Sequence, residues 1–322
     1  MRLLITGGAG FIGSHLADAA LARGWTVAVV DDLSAGREEN IPKGAKFFRC
    51  DIRNPEALAA VFSEFSPEVV SHQAAQASVS VSVREPQLDA SINVLGTLNV
   101  LSACVSAKVK HIVFASTGGA IYGEVPEGTR AAVTTPPVPV SPYACSKFAA
   151  EKYLECFRRE HGLAYTVLRY ANVYGPRQDP HGEAGVVAIF CNRLLAGESV
   201  RVFARRTNGD PGCVRDYVFI DDVVKANIAA MEGRITDPIL NVGTGVESTT
   251  LQLAESLKNS LASASAIQFG DIRPGDVERS LLNADRLAEL LGPTVTLNDG
   301  LKRTSDWFRD RAQRLKSPVA HS

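Results

Sequence analysis

Short apolar runs and longer amphipathic runs alternate through the first half of the chain, with turn-forming residues between them. Residues 3–5 are an apolar run that stops at a cluster of glycines, and an amphipathic run follows at once. Further mostly apolar runs within 25–30, 45–50, 68–72 and 111–115 also predict strands. Continuous apolar runs of this length are typical of strands buried on both faces of a parallel sheet. The pattern therefore predicts an α/β fold in which helices connect parallel strands.

The second half is less regular but still alternates. The pattern predicts strands over 164–170, 199–203, 215–220 and 239–242. We expect 215–220, the helix that follows it, and 239–242 to return to the first sheet and complete it. The remainder is expected to form a smaller mixed α/β domain.

A glycine-rich turn joins the first predicted strand to the first helix. Gly7, Gly10 and Gly13 have the spacing G-x-x-G-x-x-G. Glycine permits a positive φ and lets a phosphate approach the backbone without meeting a Cβ atom. The first N–H groups of a helix lack internal partners and carry partial positive charge, so they hold a pyrophosphate well. The turn therefore predicts a dinucleotide site in a Rossmann-like, doubly wound sheet.

Acidic residues follow the next two strands. Asp31 is placed to accept the adenosine ribose hydroxyls and would repel a 2′-phosphate, which favours NAD over NADP. Asp51, followed by Ile52, is a candidate acceptor for the adenine amino group, or alternatively a cap for the next helix. After the fourth strand, the small residues Ala74 and Ala75, with Gln76, would let the backbone pass close to the cofactor phosphates.

Composition excludes several classes of partner. Of the 322 residues 45% are hydrophobic, and the formal net charge is −1, which argues against nucleic acid or an anionic membrane as a partner. The six cysteines are scattered, without a C-x-x-C pair, which suits reduced thiols in a cytoplasm better than a zinc site. We expect no signal peptide, no metal, and no apolar run near the ~20 residues that span a bilayer. The long apolar helix predicted over 85–108 suggests an inter-subunit contact, hence a homodimer.

A tyrosine and a lysine lie four residues apart where a helix should begin. Ser141 is a good N-cap and Pro142 fits the first helical position, so Tyr143 and Lys147 share one face. A phenol titrates near 10, and a neutral-pH base needs a pKa lower by about 3 units. A nearby ammonium and the positive charge of an oxidised nicotinamide both favour the phenolate. We therefore predict that Tyr143 is a catalytic base and Lys147 its partner.

Two hydroxyls, Ser116 and Thr117, end the strand that begins at His111. The carboxyl ends of central strands face the crevice where the nicotinamide should lie. We consider both as the catalytic hydroxyl and favour Thr117. Another polar residue at a strand end, His72, is expected to be a hydrogen-bonded residue of the sheet and not a base.

The chain resembles the extended short-chain dehydrogenase/reductases that act on nucleotide sugars, and most closely their UDP-glucose 4-epimerase branch. The resemblance covers nearly the whole chain. It rests on T-G-G-A-G-F-I-G over 6–13, Asp31, Ser116-Thr117, Ser141-Pro142-Tyr143 with Lys147, R-Y-A-N-V-Y-G-P over 169–176, R-D-Y-V over 215–218 and R-P-G-D over 273–276.

The resemblance implies an NAD-dependent epimerase that interconverts UDP-hexoses through a 4-keto intermediate, with UDP-glucuronate or UDP-pentose epimerases and 4,6-dehydratases as alternatives. It implies an NAD-binding domain of residues 1–172 and 214–242 and a nucleotide-sugar-binding domain of 173–213 and 243–322. The predicted cofactor-binding residues are Gly7, Gly10, Phe11, Ile12, Gly13, Asp31, Asp51, Ile52, Ala74, Ala75, Gln76, Asn93, Tyr143, Lys147 and Tyr170. The predicted substrate-binding residues are Asn172, Arg215, Arg273 and Asp276.

Two positions bear on the choice of reaction. The related dehydratases carry Asp-Glu directly after the catalytic Thr, because elimination of water needs an acid and a base. Gly118 and Gly119 supply neither. Ser280 falls where some epimerases carry a bulky Tyr, so a small Ser could leave room for an N-acetylated sugar.

Overall fold

A seven-stranded parallel sheet forms the centre of the computed structural model, which describes residues 1–180, 185–273 and 277–316. Numbered along the whole chain, its strands are β1 (Arg2–Thr6), β2 (Thr26–Asp31), β3 (Lys46–Arg49), β4 (Val69–His72), β5 (His111–Thr117), β6 (Ala164–Tyr170) and β10 (Ile239–Val242). Their spatial order is β3-β2-β1-β4-β5-β6-β10. The order reverses between β1 and β4, as in a doubly wound sheet, which confirms the predicted fold class.

Helices cover both faces of this sheet. The helices are α1 (Phe11–Leu21), α2 (Pro55–Phe65), α3 (Val79–Arg84), α4 (Pro86–Ala90), α5 (Thr97–Ser106), α6 (Gly118–Ile121), α7 (Pro142–His161), α8 (Val186–Leu195), α9 (Ile220–Met231), α10 (Thr250–Ser260), α11 (Asp285–Leu291) and α12 (Leu297–Lys316). Successive side chains of a strand point to opposite faces. Leu3 and Ile5 therefore join one buried cluster, and Leu4 joins the other.

Two further sheets are formed by described residues outside the central sheet. Their strands are β7 (Asn172–Tyr174), β8 (Val200–Phe203), β9 (Val214–Phe219), β11 (Glu247–Thr249), β12 (Ile267–Gly270) and β13 (Arg279–Ser280). β9 pairs with β7, β11 and β13, so the expectation that 215–220 joins the first sheet was wrong, while the expectation for 239–242 is confirmed by β10. The edge of β6 is already paired in register with β10, which leaves no ladder there for β9.

The segment Pro86–Ser106 runs as one helix through α4, a π-helical stretch over Ser91–Gly96, and α5. In the described part of the chain it is long and apolar enough to cross a membrane, so the expectation that no segment meets this test was wrong. A core helix of a globular protein meets the same test. Here α4 packs against α7, and α5 packs against α2 and α7.

Local signals at the start of α7 are confirmed by its geometry. The Ser141 hydroxyl accepts a hydrogen bond from the Ala144 N–H at 3.2 Å, and Pro142 is the first helical residue. Gly162 ends the helix with φ +71°. Both helix ends thus carry the residues that the unsatisfied backbone groups there require.

The turn after β1 contains Gly7, whose replacement should destabilise the fold more than replacement of a glycine with no close neighbours. Gly7 has φ +68°, and a Cβ atom there would lie 2.6 Å from the Ala74 nitrogen. Gly128 has φ +73° with nothing within 4 Å of such a Cβ atom. We expect Gly128→Ala to lower the free energy of unfolding by about 1 kcal/mol, through backbone strain alone. Gly7→Ala should lower it by about 3 kcal/mol, because overpacking adds to the strain.

Urea denaturation of the two variants and the wild type measures both losses. Equal losses would mean that the turn relaxes at no cost and that the approach of Ala74 to Gly7 is not a constraint.

Candidate active site

The glycine turn and the segment after β4 meet where the strand order reverses. The close approach of Gly7 to Ala74 is supported by a hydrogen bond from the Ala74 N–H to the Thr6 hydroxyl at 3.3 Å. A Cβ atom on Gly13 would overlap the Gly7 carbonyl oxygen, so α1 can start this close to the strand only with glycine there. The backbone atoms of Gly7, Gly13 and Ala74 therefore lie close together here, with no side chains between them.

The start of α1 fits a pyrophosphate. Gly10 is the N-cap and provides no side-chain hydrogen bond to the first turn, where Phe11 and Ile12 stand. The free N–H groups and the helix dipole favour an anion at this point. Phosphate contacts from Gly10 to Gly13 remain a prediction that this geometry supports.

Asp31 lies beside the same turn at the end of β2. Its two oxygens accept hydrogen bonds from the Ala9 and Leu33 N–H groups, both at 2.9 Å. Burial raises the pKa of Asp31. Each oxygen keeps a lone pair for a ribose hydroxyl. A Cβ atom on Gly36 would lie 2.7 Å from Asp31 Oδ1, so glycine keeps that approach open. The residues present therefore fit a dinucleotide with an unphosphorylated ribose.

The residues that follow β3 have partners within the chain. Asp51 forms an ion pair with Arg53, with Nη2 and Oδ2 2.6 Å apart, and this bond lowers the pKa of Asp51. The alternative that Asp51 caps the next helix is wrong, because Asn54 accepts the capping bond from the Ala57 N–H at 2.9 Å. The neighbouring Ile52 is buried against Gly96. Adenine contacts of Asp51 and Ile52 stay predictions.

Gln76 and Asn93 bind each other across the crevice wall. The Asn93 amide oxygen accepts from the Gln76 N–H at 3.0 Å, and its amide nitrogen donates to the Gln76 carbonyl at 2.9 Å. Both side-chain amides also donate to Asp89, each at 2.9 Å. Asn93 lies in the π-helical stretch, a conformation that often marks functional sites. The structure shows both side chains shaping the loop after Ala74 and Ala75; their contact with the cofactor stays a prediction.

The two candidate hydroxyls of β5 point in different directions. Ser116 donates to Glu151 Oε1 at 2.6 Å, deep in the core. The Thr117 side chain instead faces Tyr143 and acts to lower the pKa of that phenol. The structure thus brings Thr117, and not Ser116, near the predicted base. Strand alternation explains the difference, since adjacent residues face opposite sides of a sheet.

Tyr143 itself differs from the expectation of a phenol poised near neutrality. In the chain alone, burial raises the pKa of Tyr143, and the nearby Asp89 carboxylate raises it further. The Thr117 side chain acts the other way but does not reverse the shift. Ionisation of Tyr143 near neutral pH therefore requires positive charge beyond what the chain provides.

Lys147 is one turn further along α7 and is buried, with its Nζ 4.7 Å from the centre of the Phe114 ring. Burial lowers the pKa of Lys147 to about 8, against the opposing effects of Asp89 and Glu151. An amine with this pKa is still mostly charged at pH 7. Lys147 therefore provides the predicted positive charge one helical turn from Tyr143.

Glu151 and Arg169 form a buried ion pair that sequence reasoning missed. Two bonds join them, Nε–Oε1 at 2.9 Å and Nη2–Oε2 at 2.6 Å, and both side chains are at most 3% exposed. Arg169 also donates to the Tyr122 hydroxyl at 2.7 Å, which donates to Asn241 at 2.9 Å. The network ties α7, β5, β6 and β10 together behind the catalytic residues.

Two strand-end residues are held inside the protein. The His72 ring bonds the hydroxyls of Thr6 at 2.6 Å and Thr97 at 3.0 Å, and burial lowers the pKa of His72 to about 3. It is a neutral residue of the sheet, as expected. The Tyr170 hydroxyl donates to Asn227 at 3.1 Å, and burial raises its pKa to about 12. Contact of Tyr170 with the cofactor stays a prediction.

The predicted substrate residues that the structure describes lie on or near strands outside the central sheet. Asn172 begins β7, and its Oδ1 lies 3.2 Å from the position of a Cβ atom on Gly119. Arg215 donates to the Val214 and Glu278 carbonyls at 2.9 and 3.3 Å, and Arg273 stacks over the Phe203 ring. Asp276 lies outside the described residues. Among the described residues, no group of three potential metal ligands occurs.

The residue after Thr117 has no room for a side chain. A Cβ atom on Gly118 would lie 2.5 Å from Leu282 Cδ1 and 3.2 Å from the Arg169 carbonyl oxygen. This is where the related dehydratases carry an Asp. The acid needed for dehydration is therefore absent and could not be added without moving Leu282.

Known proteins share this arrangement over almost their whole length. The family model described as "NAD dependent epimerase/dehydratase family" matches residues 3–243. A UDP-glucose 4-epimerase of Mycolicibacterium smegmatis is 43% identical, over 97% of this chain and 100% of that protein.

Two solved structures are also similar. The UDP-glucose 4-epimerase of Thermus thermophilus in complex with NAD is 54% identical, with a TM-score of 0.92 over 96% of this chain and 99% of that one. The UDP-glucose 4-epimerase of Thermotoga maritima with UDP-glucose is 48% identical, with a TM-score of 0.92 over 97% and 100%.

The predicted resemblance, cofactor and fold are thereby confirmed. With a matching family model over most of its length and the glycine turn, acidic strand end and Tyr-Lys pair in place, this chain belongs to the NAD dependent epimerase/dehydratase family, the extended short-chain dehydrogenase/reductases.

Proposed function

We propose that this protein is an NAD-dependent 4-epimerase that interconverts UDP-glucose and UDP-galactose. The observation that carries the proposal is the convergence on Tyr143 of the Thr117 side chain and, one helical turn away, the buried ammonium of Lys147. The identity to UDP-glucose 4-epimerases, 43% to 54% over nearly whole chains, supports the same substrate.

The chain's own residues account for the proton transfer. Tyr143, at the start of α7, takes the proton of the sugar 4-hydroxyl, and Thr117 bonds the Tyr143 oxygen and aligns it. Lys147 supplies positive charge one helical turn away. Bound NAD would supply the acceptor and later the donor of the C4 hydride, and its oxidised ring the positive charge that the phenolate requires.

Inversion at C4 then requires only that the sugar rotate within the site. After loss of the proton and hydride the sugar is a 4-ketone, which exposes its opposite face when it rotates about the anchored diphosphate. Arg215 and Arg273 are the proposed anchors, since guanidinium groups suit a diphosphate. Tyr143 would then return its proton to the C4 oxygen of the sugar.

The small residue at 280 widens the proposal to N-acetylated sugars. Ser280 is buried in β13, where its backbone pairs with Arg215. A serine here occupies far less volume than the tyrosine of some epimerases. We propose that UDP-N-acetylhexosamines are also substrates.

The test is a panel of UDP-sugars incubated with the purified chain, with products separated by chromatography. We expect UDP-glucose and UDP-galactose to interconvert, and UDP-N-acetylglucosamine to be converted as well. Tyr143→Phe should lower turnover by about 10²–10⁴-fold, because the proton acceptor is lost. NAD should stay bound to that variant, as measured by its release after denaturation.

Tyr153→Phe is the matched control, because Tyr153 lies on the same helix with its side chain exposed. Its turnover should equal that of the wild type.

Full activity in Tyr143→Phe would contradict the assignment of the base. Conversion of UDP-glucuronate alone would replace the hexose proposal with the uronate alternative, and no conversion of UDP-N-acetylglucosamine at high enzyme concentration would remove the wider substrate range.

A pair of strand-end variants separates the two hydroxyls. Thr117→Val should lower kcat by about 10²-fold or more, because it removes the group that aligns Tyr143. Ser116→Ala should leave kcat nearly unchanged and lower the free energy of unfolding by about 1 kcal/mol, because it removes a bond to Glu151. Kinetics and urea denaturation measure the two effects, and the reverse outcome would make Ser116 the catalytic hydroxyl.

We also propose that the protein is a homodimer built on the helices Pro86–Ser106 and α7. Leu95, on the first of these helices, is 57% exposed and is therefore available to pack against a partner. Leu95→Glu should convert the dimer to a monomer in sedimentation experiments, because it would bury a charge in the interface. Val246→Glu, at an exposed valine elsewhere, is the control. A monomeric wild type would contradict the proposal.

A further inference from the structure

Asp89 is a fully buried carboxylate on α4 that the proposed chemistry does not use. Its Oδ1 accepts from the side-chain amides of Gln76 and Asn93, and its Oδ2 accepts from the Ser146 hydroxyl at 2.6 Å. These three donors come from the loop after β4, the π-helical stretch and the catalytic helix. One carboxylate therefore joins the wall of the cofactor crevice to the helix that carries Tyr143.

The charge of Asp89 lies close to both catalytic groups of α7. No Lys or Arg of the described chain approaches it within ion-pair distance, so its bonds are to neutral donors. Its field acts on Tyr143 and Lys147 and favours the protonated form of each. Because the site is buried, this field is screened less than it would be at the surface.

We propose that Asp89 is a positioning residue of the reaction, which fixes α7 against the Gln76 loop and places a negative charge beside Tyr143 and Lys147. The inference rests on the proposed function, which makes those two residues the proton-transfer pair. Asp89 does not touch the reacting atoms. It acts through the helix that it holds and through its charge.

The other ionisable groups around this point are few. On α7, Glu151 also favours the charged form of Lys147, but Glu151 is itself paired with Arg169 of β6. On β4, His72 is neutral near pH 7 because burial lowers its pKa to about 3. On α3, which packs against both α4 and α7, Arg84 is the charged residue. Glu151 is therefore neutralised by a bonded arginine, whereas Asp89 has no bonded Lys or Arg among the described residues.

Two substitutions separate the charge of Asp89 from its hydrogen bond to α7. Asp89→Asn keeps the size and can still accept from Gln76 and Asn93, while Ser146 can rotate to accept from the new amide. It removes only the charge. Ser146→Ala keeps the charge and removes the bond.

The pH profile of kcat in the NAD-loaded protein is the first readout. Because Asp89 raises the pKa of both Tyr143 and Lys147, its neutralisation lowers both. We expect Asp89→Asn to displace the acid and the alkaline limbs of the profile to lower pH. Ser146→Ala should lower kcat by roughly tenfold without displacing either limb. A merely structural role of Asp89 would lower activity and leave the limbs in place, which would overturn the proposal.

Ultraviolet titration of the phenolate is the second readout and does not depend on turnover. The difference between the NAD-loaded chain and its Tyr143→Phe variant isolates the ionisation of Tyr143. The same difference measured in the Asp89→Asn background should titrate at lower pH. An unchanged titration overturns the proposal even if no UDP-sugar is converted, so this failure is distinct from a failure of the proposed function.

If Asp89→Asn does not yield folded protein, the kinetics of the Ser146→Ala variant test the proposal instead. The proposal then requires a loss of kcat with little change in KM, since the bond orients α7 and does not bind the sugar. Unchanged kcat in Ser146→Ala would contradict it.

Discussion

The buried pair of Glu151 and Arg169 is the constraint on which the site depends. Taking two charges out of water costs several kcal/mol per ion, and only near-ideal geometry and further hydrogen bonds offset this. Here the pair is bidentate, and Ser116, Tyr122 and Asn241 complete it. Asn241 in turn donates to the carbonyls of Ala131 and Asn283. Displacing any member would leave a buried charge or polar group unpaired, so α7 and the strands keep one relative position.

The opposite side of α7 is held in a different way. Ser146 binds Asp89, and through Asp89 the helix is joined to the loop that lines the cofactor crevice. Lys147 therefore lies between two carboxylates, of which Glu151 is neutralised by Arg169 and Asp89 is not. Burial outweighs these charges and lowers the pKa of Lys147 to about 8, which still leaves the ammonium mostly charged near neutral pH.

Sequence reasoning succeeded where a short stretch carries the whole signal. The turn at Gly7 and the helix start at Ser141 are each set by residues within a few positions along the chain, and Asp31 is recognised by its place at the end of a strand. It failed for partners distant along the chain, such as Asp89 with Ser146 and Glu151 with Arg169. It also placed β9 in the wrong sheet, because alternation predicts a strand but not its neighbours. One signal was available: Asp89 is the sole charged residue of the apolar segment Pro86–Ser106, and a buried acid needs partners.

The crowding at Gly118 has an evolutionary consequence. An acid at this position would collide with Leu282, a residue of the other half of the molecule that is fully buried. A lineage with this backbone would introduce the first acid of an elimination chemistry only by displacing the Leu282 side chain, so that step would cost packing energy before the second residue had changed. A smaller residue at position 282 would lower this cost, so the order of mutations as well as catalytic need affects how this scaffold diversifies.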